Sequence, residues 1–137
     1  DPRAKLLAQN SFLIEEFIST RAIEFAPLFQ SPREASNLHA KRPILFHAHC
    51  YQKSLTGTDA LRDMLRLTGA EVSEIPSGCC GMAGSFGYEA EHYELSLKIG
   101  EERLFPAVRA ADTSAIIAAS GTSCRRQIES RLRPLYC

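Results

Sequence analysis

The sequence predicts an α/β fold: three layers, with a small parallel sheet of about three strands and helices on both faces, Rossmann-like in order. Three observations carry this expectation. Residues 44–49, 71–75 and 114–119 are short runs of strand length and strand composition. Segments of helical period alternate with them, giving the order helix, strand, helix, strand, helix, strand, helix. Strands separated by helices return through right-handed crossovers rather than hairpins, so the sheet is expected to be parallel.

The elements follow in order. From residue 3 to about 25, Leu6, Leu7, Leu13, Phe17, Ile18 and Phe25 recur at helical spacing, while Gln9, Glu15 and Glu16 take the other side. This reads as one amphipathic helix in an N-terminal segment, 1–26, that either packs on its own domain or docks a neighbouring one. Pro27, Pro32 and a polar run to Arg42 form a loop, and the main domain is placed at 40–137. Pro43 precedes the near-continuously apolar strand at 44–49, a pattern typical of a strand covered on both faces. Thr58 is expected to cap a helix over 59–67 that Gly69 closes. Residues 71–75 alternate polar and apolar, which suits a strand at the sheet edge. A helix is expected from Tyr88 to Arg103, with Glu89 and Glu91 in its first turn and Leu95 and Ile99 facing inward. Pro106 restarts the chain as a brief helix. The most apolar strand, 114–119, leads through Gly121-Thr122-Ser123 into a last helix that runs to about Leu132 and stops at Pro134.

Composition narrows the function. At 137 residues and 45% hydrophobic, the chain suits one domain with a real core. Lys plus Arg and Asp plus Glu balance at 16 each, so no basic field points to nucleic acid or an anionic membrane surface. No apolar run approaches the roughly 20 residues needed to span a bilayer, and no signal peptide opens the chain. The protein is expected in the cytoplasm, free or peripheral to the inner membrane. Asp1 rather than Met begins it, so a longer parent chain is expected.

Five cysteines, at 50, 79, 80, 124 and 137, form an odd set that favours metal or redox chemistry over a disulfide framework. Cys79 and Cys80 are adjacent and cannot easily bridge each other, because an unstrained disulfide needs differently aimed Cα atoms. They lie in a stretch, 76–87, with glycines at 78, 81, 84 and 87, the composition of a pocket wall that approaches a ligand closely. Cys50 follows the first strand, Cys79 and Cys80 the second, and Cys124 the third. Open parallel sheets gather ligands at the carboxyl ends of their strands, so these four are expected to meet at one site. Cys137, at the chain end, is expected to stay apart.

Four converging thiolates suit iron in an iron-sulfur cluster or zinc in a tetrahedral site. Cys124 falls in the first turn of the last helix, where the macrodipole favours the thiolate. His47 and His49 stand two apart on a strand, pointing the same way beside Cys50. They are read either as ligands, proton acceptors or outer partners, or simply as hydrogen-bonded residues at a strand end. Gly81, Gly84 and Gly87 do not make the G-x-G-x-x-G spacing of a dinucleotide site.

The pattern Cys50, then Cys79-Cys80-Gly81, then Cys124 resembles the cysteine-rich CCG domain found in heterodisulfide reductase and in the iron-sulfur subunits of glycolate and lactate oxidation systems. The wording of 47–53, 78–88 and 119–125 is similar to the carboxyl-terminal part of FAD-linked D-2-hydroxy-acid dehydrogenases fused to an iron-sulfur module, across about residues 40 to 130. The resemblance implies an electron-transfer module of a flavin-linked 2-hydroxy-acid (lactate, glycolate or 2-hydroxyglutarate type) oxidoreductase. A 4Fe-4S cluster would sit on Cys50, Cys79, Cys80 and Cys124, or zinc in its place. FAD would lie on a flavin domain upstream, together with a ferredoxin-like domain, and the fragment alone would not turn over substrate. The fuller family pattern ends Cys-x-x-Cys, whereas here the last position is Gln127, on the helix face of Cys124. Two other classes remain beside this one: a zinc-stabilised structural or docking domain of the same kind of enzyme, and a thiol-disulfide enzyme using Cys79 or Cys80.

Overall fold

The computed structural model of the protein describes residues 1–29 and 42–132. Three strands, β1 (Ile44–His47), β2 (Val72–Glu74) and β3 (Ile116–Ala119), pair in parallel in the order β2-β1-β3. The α/β expectation holds, and β2 lies at an edge as its alternating pattern requires. The helices in chain order are α1 (Pro2–Gln9), α2 (Ile14–Thr20), α3 (Ala22–Phe29), α4 (Cys50–Leu55), α5 (Asp59–Arg66), α6 (Tyr93–Glu102), α7 (Leu104–Ala110) and α8 (Thr122–Arg131). None is long and apolar enough to cross a membrane.

Register sorts the core into two faces. Ile44 stands opposite both Val72 and Ile116, and Phe46 opposite Glu74 and Ala118, so residues of one parity share a face across the sheet. Leu45 and Ile117 pack with Leu104, Phe105 and Val108 of α7 and Ile128 of α8. Phe46, Val72 and Ala118 pack with Leu61 and Met64 of α5 on the opposite side. Each large side chain fully withdrawn from water contributes about 1.5–3 kcal/mol. The central strand is therefore held from both sides, and its carboxyl end is fixed in place.

The N-terminal stretch differs from the single helix expected. Asn10 Nδ2 and the Ser11 hydroxyl donate to the carbonyls of Leu6 and Leu7 at 2.8 and 2.9 Å, which ends α1. The Glu16 carboxylate then accepts from the Leu13 N–H at 2.7 Å and opens α2. Such side-chain bonds offer the backbone an alternative to helix continuation. A further break at Arg21 separates α2 from α3. Glu15 of α2 is buried and accepts from Gln52 Nε2 of α4 at 2.5 Å, while Leu6, Leu7 and Ile14 stay largely exposed.

Five corrections concern the elements of the main domain. β1 stops at His47 rather than at residue 49, and the chain turns at once into α4, of which Cys50 is the first residue. α6 begins at Tyr93 instead of Tyr88. Phe86–Tyr88 form a 3₁₀ turn, the Phe86 ring stacks on His92 at 4.0 Å, and Glu89 contacts His92 Nδ1 at 2.8 Å, so Glu89 and Glu91 precede the helix. Leu95 points outward, 50% exposed; the buried positions of α6 are Ser96 and Gly100, whose small size brings the Phe105 ring and the cysteine loop close. Thr58 does stand before α5, but its hydroxyl donates to Glu74 at 2.7 Å rather than to the helix, and Arg62 pairs with the same carboxylate at 2.9 Å. Pro106 is the third residue of α7, not the first. Most of the loop leading to Arg42, and the expectations for Pro134 and Cys137, lie outside the described residues.

Candidate metal centre

Strand order β2-β1-β3 places the point where chain direction across the sheet reverses between β1 and β3, and ligands of open α/β sheets bind outside the carboxyl ends there. His47 ends β1, and Cys124 is the third residue of α8, directly after β3. The loop after β2 carries Cys79 and Cys80. Among the described residues, one group of metal-ligating side chains has its atoms all within 4.8 Å of one another: His47, Cys80 and Cys124, each buried. The two cysteines are expected from sequence. His47 is left undecided there, because a strand pattern shows parity but not where the strand stops.

Cys50 and Cys79 are half-buried, and both are free thiols, as are Cys80 and Cys124. They stand near enough that their charges act on Cys124, but they lie outside the buried group of three. Cys79 Sγ accepts the Gly81 N–H at 3.3 Å. The two adjacent cysteines thus have different roles: Cys80 turns inward to Cys124, and Cys79 holds the turn. Gly121 leaves the space beside Cys124 open, since a Cβ there would lie 3.0 Å from Cys124 Sγ and 2.5 Å from His49 Cδ2.

The histidines part company. His47 is fully buried, its Nδ1 lies 2.7 Å from Ser77 Oγ, and its Nε2 meets no oxygen or nitrogen partner among the described residues, while the ring acts on the Cys80 thiol. Lys53 Nζ donates to the Ser77 carbonyl and so ties that loop to α4. His49 instead accepts the Tyr51 N–H through Nδ1 at 3.3 Å and stacks on the Tyr51 ring. It lines a largely apolar cleft of about 520 Å³ between α2, α4 and α5, and Gly121 separates its ring from Cys124. His49 lies past the end of β1, as the residue before α4, and is outside the buried group of three. Gln127 is also buried, but its amide donates to the Ser96 hydroxyl at 2.8 Å and to the Ser96 carbonyl at 3.3 Å.

The thiol pair shares one proton. A hydrogen bond from the Cys124 thiol, opposed by burial and helped by His47 and the Met82 N–H, pushes the Cys80 thiol well below the ordinary range. That same bond, then burial and the charges of Cys80, Cys50 and Cys79, push Cys124 up. Between the lowered Cys80 value and the ordinary thiol value of about 8.5, the unfolded chain holds one proton more than the folded one, so stability rises with pH there. Above it the folded chain keeps the Cys124 proton that the unfolded chain loses, and stability falls. Metal-free reduced protein should therefore be most stable near the ordinary thiol value, with one thiolate already absorbing in the ultraviolet at neutral pH. Cys80→Ser should remove that early thiolate. A flat stability profile and thiols that all ionise together would show that the pair does not form.

A parallel α/β domain with buried soft donors at the carboxyl edge of its sheet has the donor chemistry that soft metals and redox centres use. Comparison with known proteins points the same way. The chain is similar to one subunit of the anaerobic glycerol-3-phosphate dehydrogenase of Escherichia coli strain K12, 30% identical over 87 residues, 63% of this chain and 22% of that protein. It is similar to D-2-hydroxyglutarate dehydrogenase of the same strain, 35% identical over 86 residues, 61% of this chain and 8% of that protein. The D-2-hydroxyglutarate dehydrogenase of Pantoea ananatis is 34% identical over 84 residues, 60% of this chain and 8% of that protein. The chain thus spans only a small part of each of these relatives, which are a dehydrogenase subunit and two dehydrogenases. No protein-family model matches it, and no solved structure does.

Proposed function

We propose that this chain is the electron-transfer iron-sulfur module of a larger flavin-linked 2-hydroxy-acid oxidoreductase, with Cys50, Cys79, Cys80 and Cys124 as the sulfur donors. The observation that carries the reading is the buried pairing of Cys80 with Cys124 beside an unpartnered histidine nitrogen, with two further thiols on the same edge. The residues fit a metal centre. Their donors are soft, Gly121 keeps space beside Cys124, and Cys80 is biased toward the thiolate that a metal needs. A 4Fe-4S cluster bound there would accept and release single electrons. The chain's own part is to hold the sulfurs, to exclude water with Met82, Ile75 and Ile128, and to supply the positive end of α8 beside Cys124. Similarity to two D-2-hydroxyglutarate dehydrogenases favours a 2-hydroxy acid as the donor of electrons. FAD and a ferredoxin-like centre are assigned to other parts of the longer chain, and the cytoplasm, where free cysteines persist, to the whole.

Anaerobic purification with iron, sulfide and zinc analysis tests the assignment. Iron with matching sulfide and a reducible visible chromophore is the expected result. Zinc alone, retained after iron-sulfur reconstitution, would replace it with the structural or docking role, and neither metal with a reducible disulfide would leave the thiol-disulfide reading.

A further inference from the structure

The polar side chains around the buried thiols differ in what remains free to bind. Gln127 spends its amide on Ser96, and half-buried His49, although its ring edge borders Gly121, accepts the Tyr51 N–H at Nδ1 and so keeps its proton on Nε2. His47 is different. It is 0% exposed, sits on the sheet face that carries Cys80 and Cys124, and has one ring nitrogen engaged by Ser77 and one that meets no oxygen or nitrogen partner among the described residues, with the Cys80 thiol as the ring's other polar neighbour. A buried polar atom left without a hydrogen bond costs about 1–3 kcal/mol, so a protein retains one where a ligand satisfies it.

We propose that His47 Nε2 is a direct metal ligand alongside Cys80 and Cys124, with Ser77 as the partner that holds the ring. A ring nitrogen of His47 lies within 4.8 Å of both sulfurs, and when Nδ1–H donates to Ser77 Oγ at 2.7 Å, Nε2 carries the bare lone pair left to bind. Metal-bound histidines characteristically anchor their other nitrogen in this way, which fixes tautomer and ring orientation together. Ser77 is itself fixed, buried at 6% exposure, its carbonyl bound by Lys53 and its N–H donating to the Ile75 carbonyl at 2.7 Å. The path from α4 through Lys53 and Ser77 to His47 thus sets the ring before any metal arrives. In a four-donor centre His47 takes the place of one of the two half-buried thiols, Cys50 or Cys79, and a neutral nitrogen in place of an anionic sulfur lowers the negative charge of the centre, the direction that raises a cluster's reduction potential.

This inference rests on the reading that the edge binds a metal, and the experiment separates the two. Cobalt(II) is titrated into reduced, metal-free protein, in wild type and in His47→Ala, Ser77→Ala and Lys98→Ala, and the visible ligand-field bands report the donors. Wild type should give a mixed sulfur and nitrogen spectrum. His47→Ala should lose at least about a hundredfold in affinity and regain part of it with added imidazole, while Ser77→Ala should lose about ten- to a hundredfold with the donor set unchanged. Lys98 lies on the exposed side of α6 and should behave as wild type. Should His47→Ala fail to fold, wild-type protein reconstituted with iron and grown on ¹⁵N-histidine gives the answer without a substitution, since a directly bound nitrogen shows strong hyperfine coupling in pulsed electron paramagnetic resonance. An all-sulfur cobalt spectrum, or only the weak coupling of a hydrogen-bonded nitrogen, overturns His47 as a ligand and leaves the metal centre standing. No binding of cobalt or iron at all overturns both.

Discussion

Serine at position 80 or 124 is expected to lower metal affinity by more than about a hundredfold, beyond what loss of an outer partner costs. The reason is burial. Cys80 and Cys124 are 4% and 1% exposed, so no water replaces the missing sulfur, and a serine hydroxyl stays protonated where a thiolate is needed. Cys50 opens α4 and Cys79 sits half-buried in its turn, so serine at either position leaves the buried group intact and water can complete the shell. Their loss of affinity should be measurable but smaller, and Cys137→Ser should match wild type. Competition against a chelator of known affinity, on reduced protein, ranks the five variants. Far-ultraviolet and near-ultraviolet circular dichroism should stay native throughout, because serine and cysteine differ little in size. Equal losses at all five positions would remove the geometric argument for a common site.

Much of this site is legible from the sequence because the sheet is. A run such as Ile44-Leu45-Phe46 has few alternatives to a buried strand, and three such runs separated by helices bring Cys50, Cys79, Cys80 and Cys124 to one edge by topology alone. What the sequence does not show is set by short-range geometry. α4 is only six residues long, Cys-Tyr-Gln-Lys-Ser-Leu, too short for a period to register, so the turn that separates His47 from His49 leaves no pattern. Apolar spacing puts the inward face of α6 one position off, because Leu95 draws attention where the contact is made by Ser96 and Gly100. Small residues four apart on a helix are the available signal, since they mark close approach of a neighbour. Apolar spacing over 3–25 does suggest one helix, and it takes no account of the bonds that Asn10 and Ser11 make back to the chain. Gln127 falls beside Cys124 on α8 by helical spacing, but its binding to Ser96 depends on the position of α6, which no local pattern carries.

Alanine at position 81 is expected to be the most damaging single change outside the donor set. Gly81 has φ +97°, a conformation that side chains of L-residues rarely adopt, and a Cβ placed there would lie 2.0 Å from the Ser96 carbonyl oxygen and 2.9 Å from its carbon. The first effect costs about 1–2 kcal/mol and the overpacking about 1–3 kcal/mol more. Against a total stability of about 5–15 kcal/mol the sum is a large fraction, and for a chain of this size it lowers Tm by about 10–20 °C. Ser96 cannot easily retreat, because Gln127 holds both its hydroxyl and its carbonyl from α8, and the hydroxyl also meets Met82 Sδ at 3.9 Å. The loop must move instead, and Cys80, the residue before Gly81, moves with it away from Cys124. Gly81→Ala should therefore lose both stability and metal, while Gly78→Ala, where a Cβ would meet nothing within 4 Å, should lose little of either. Gln127→Ala offers a partial release, since freeing Ser96 lets α6 give way; in the Gly81→Ala background it should cost less than it does alone, a coupling that a double-mutant cycle on thermal unfolding reads directly. Additive losses in that cycle would show that α8 does not hold α6 against the cysteine loop, and a Gly81→Ala protein with wild-type Tm and metal affinity would show that the loop does not depend on that contact.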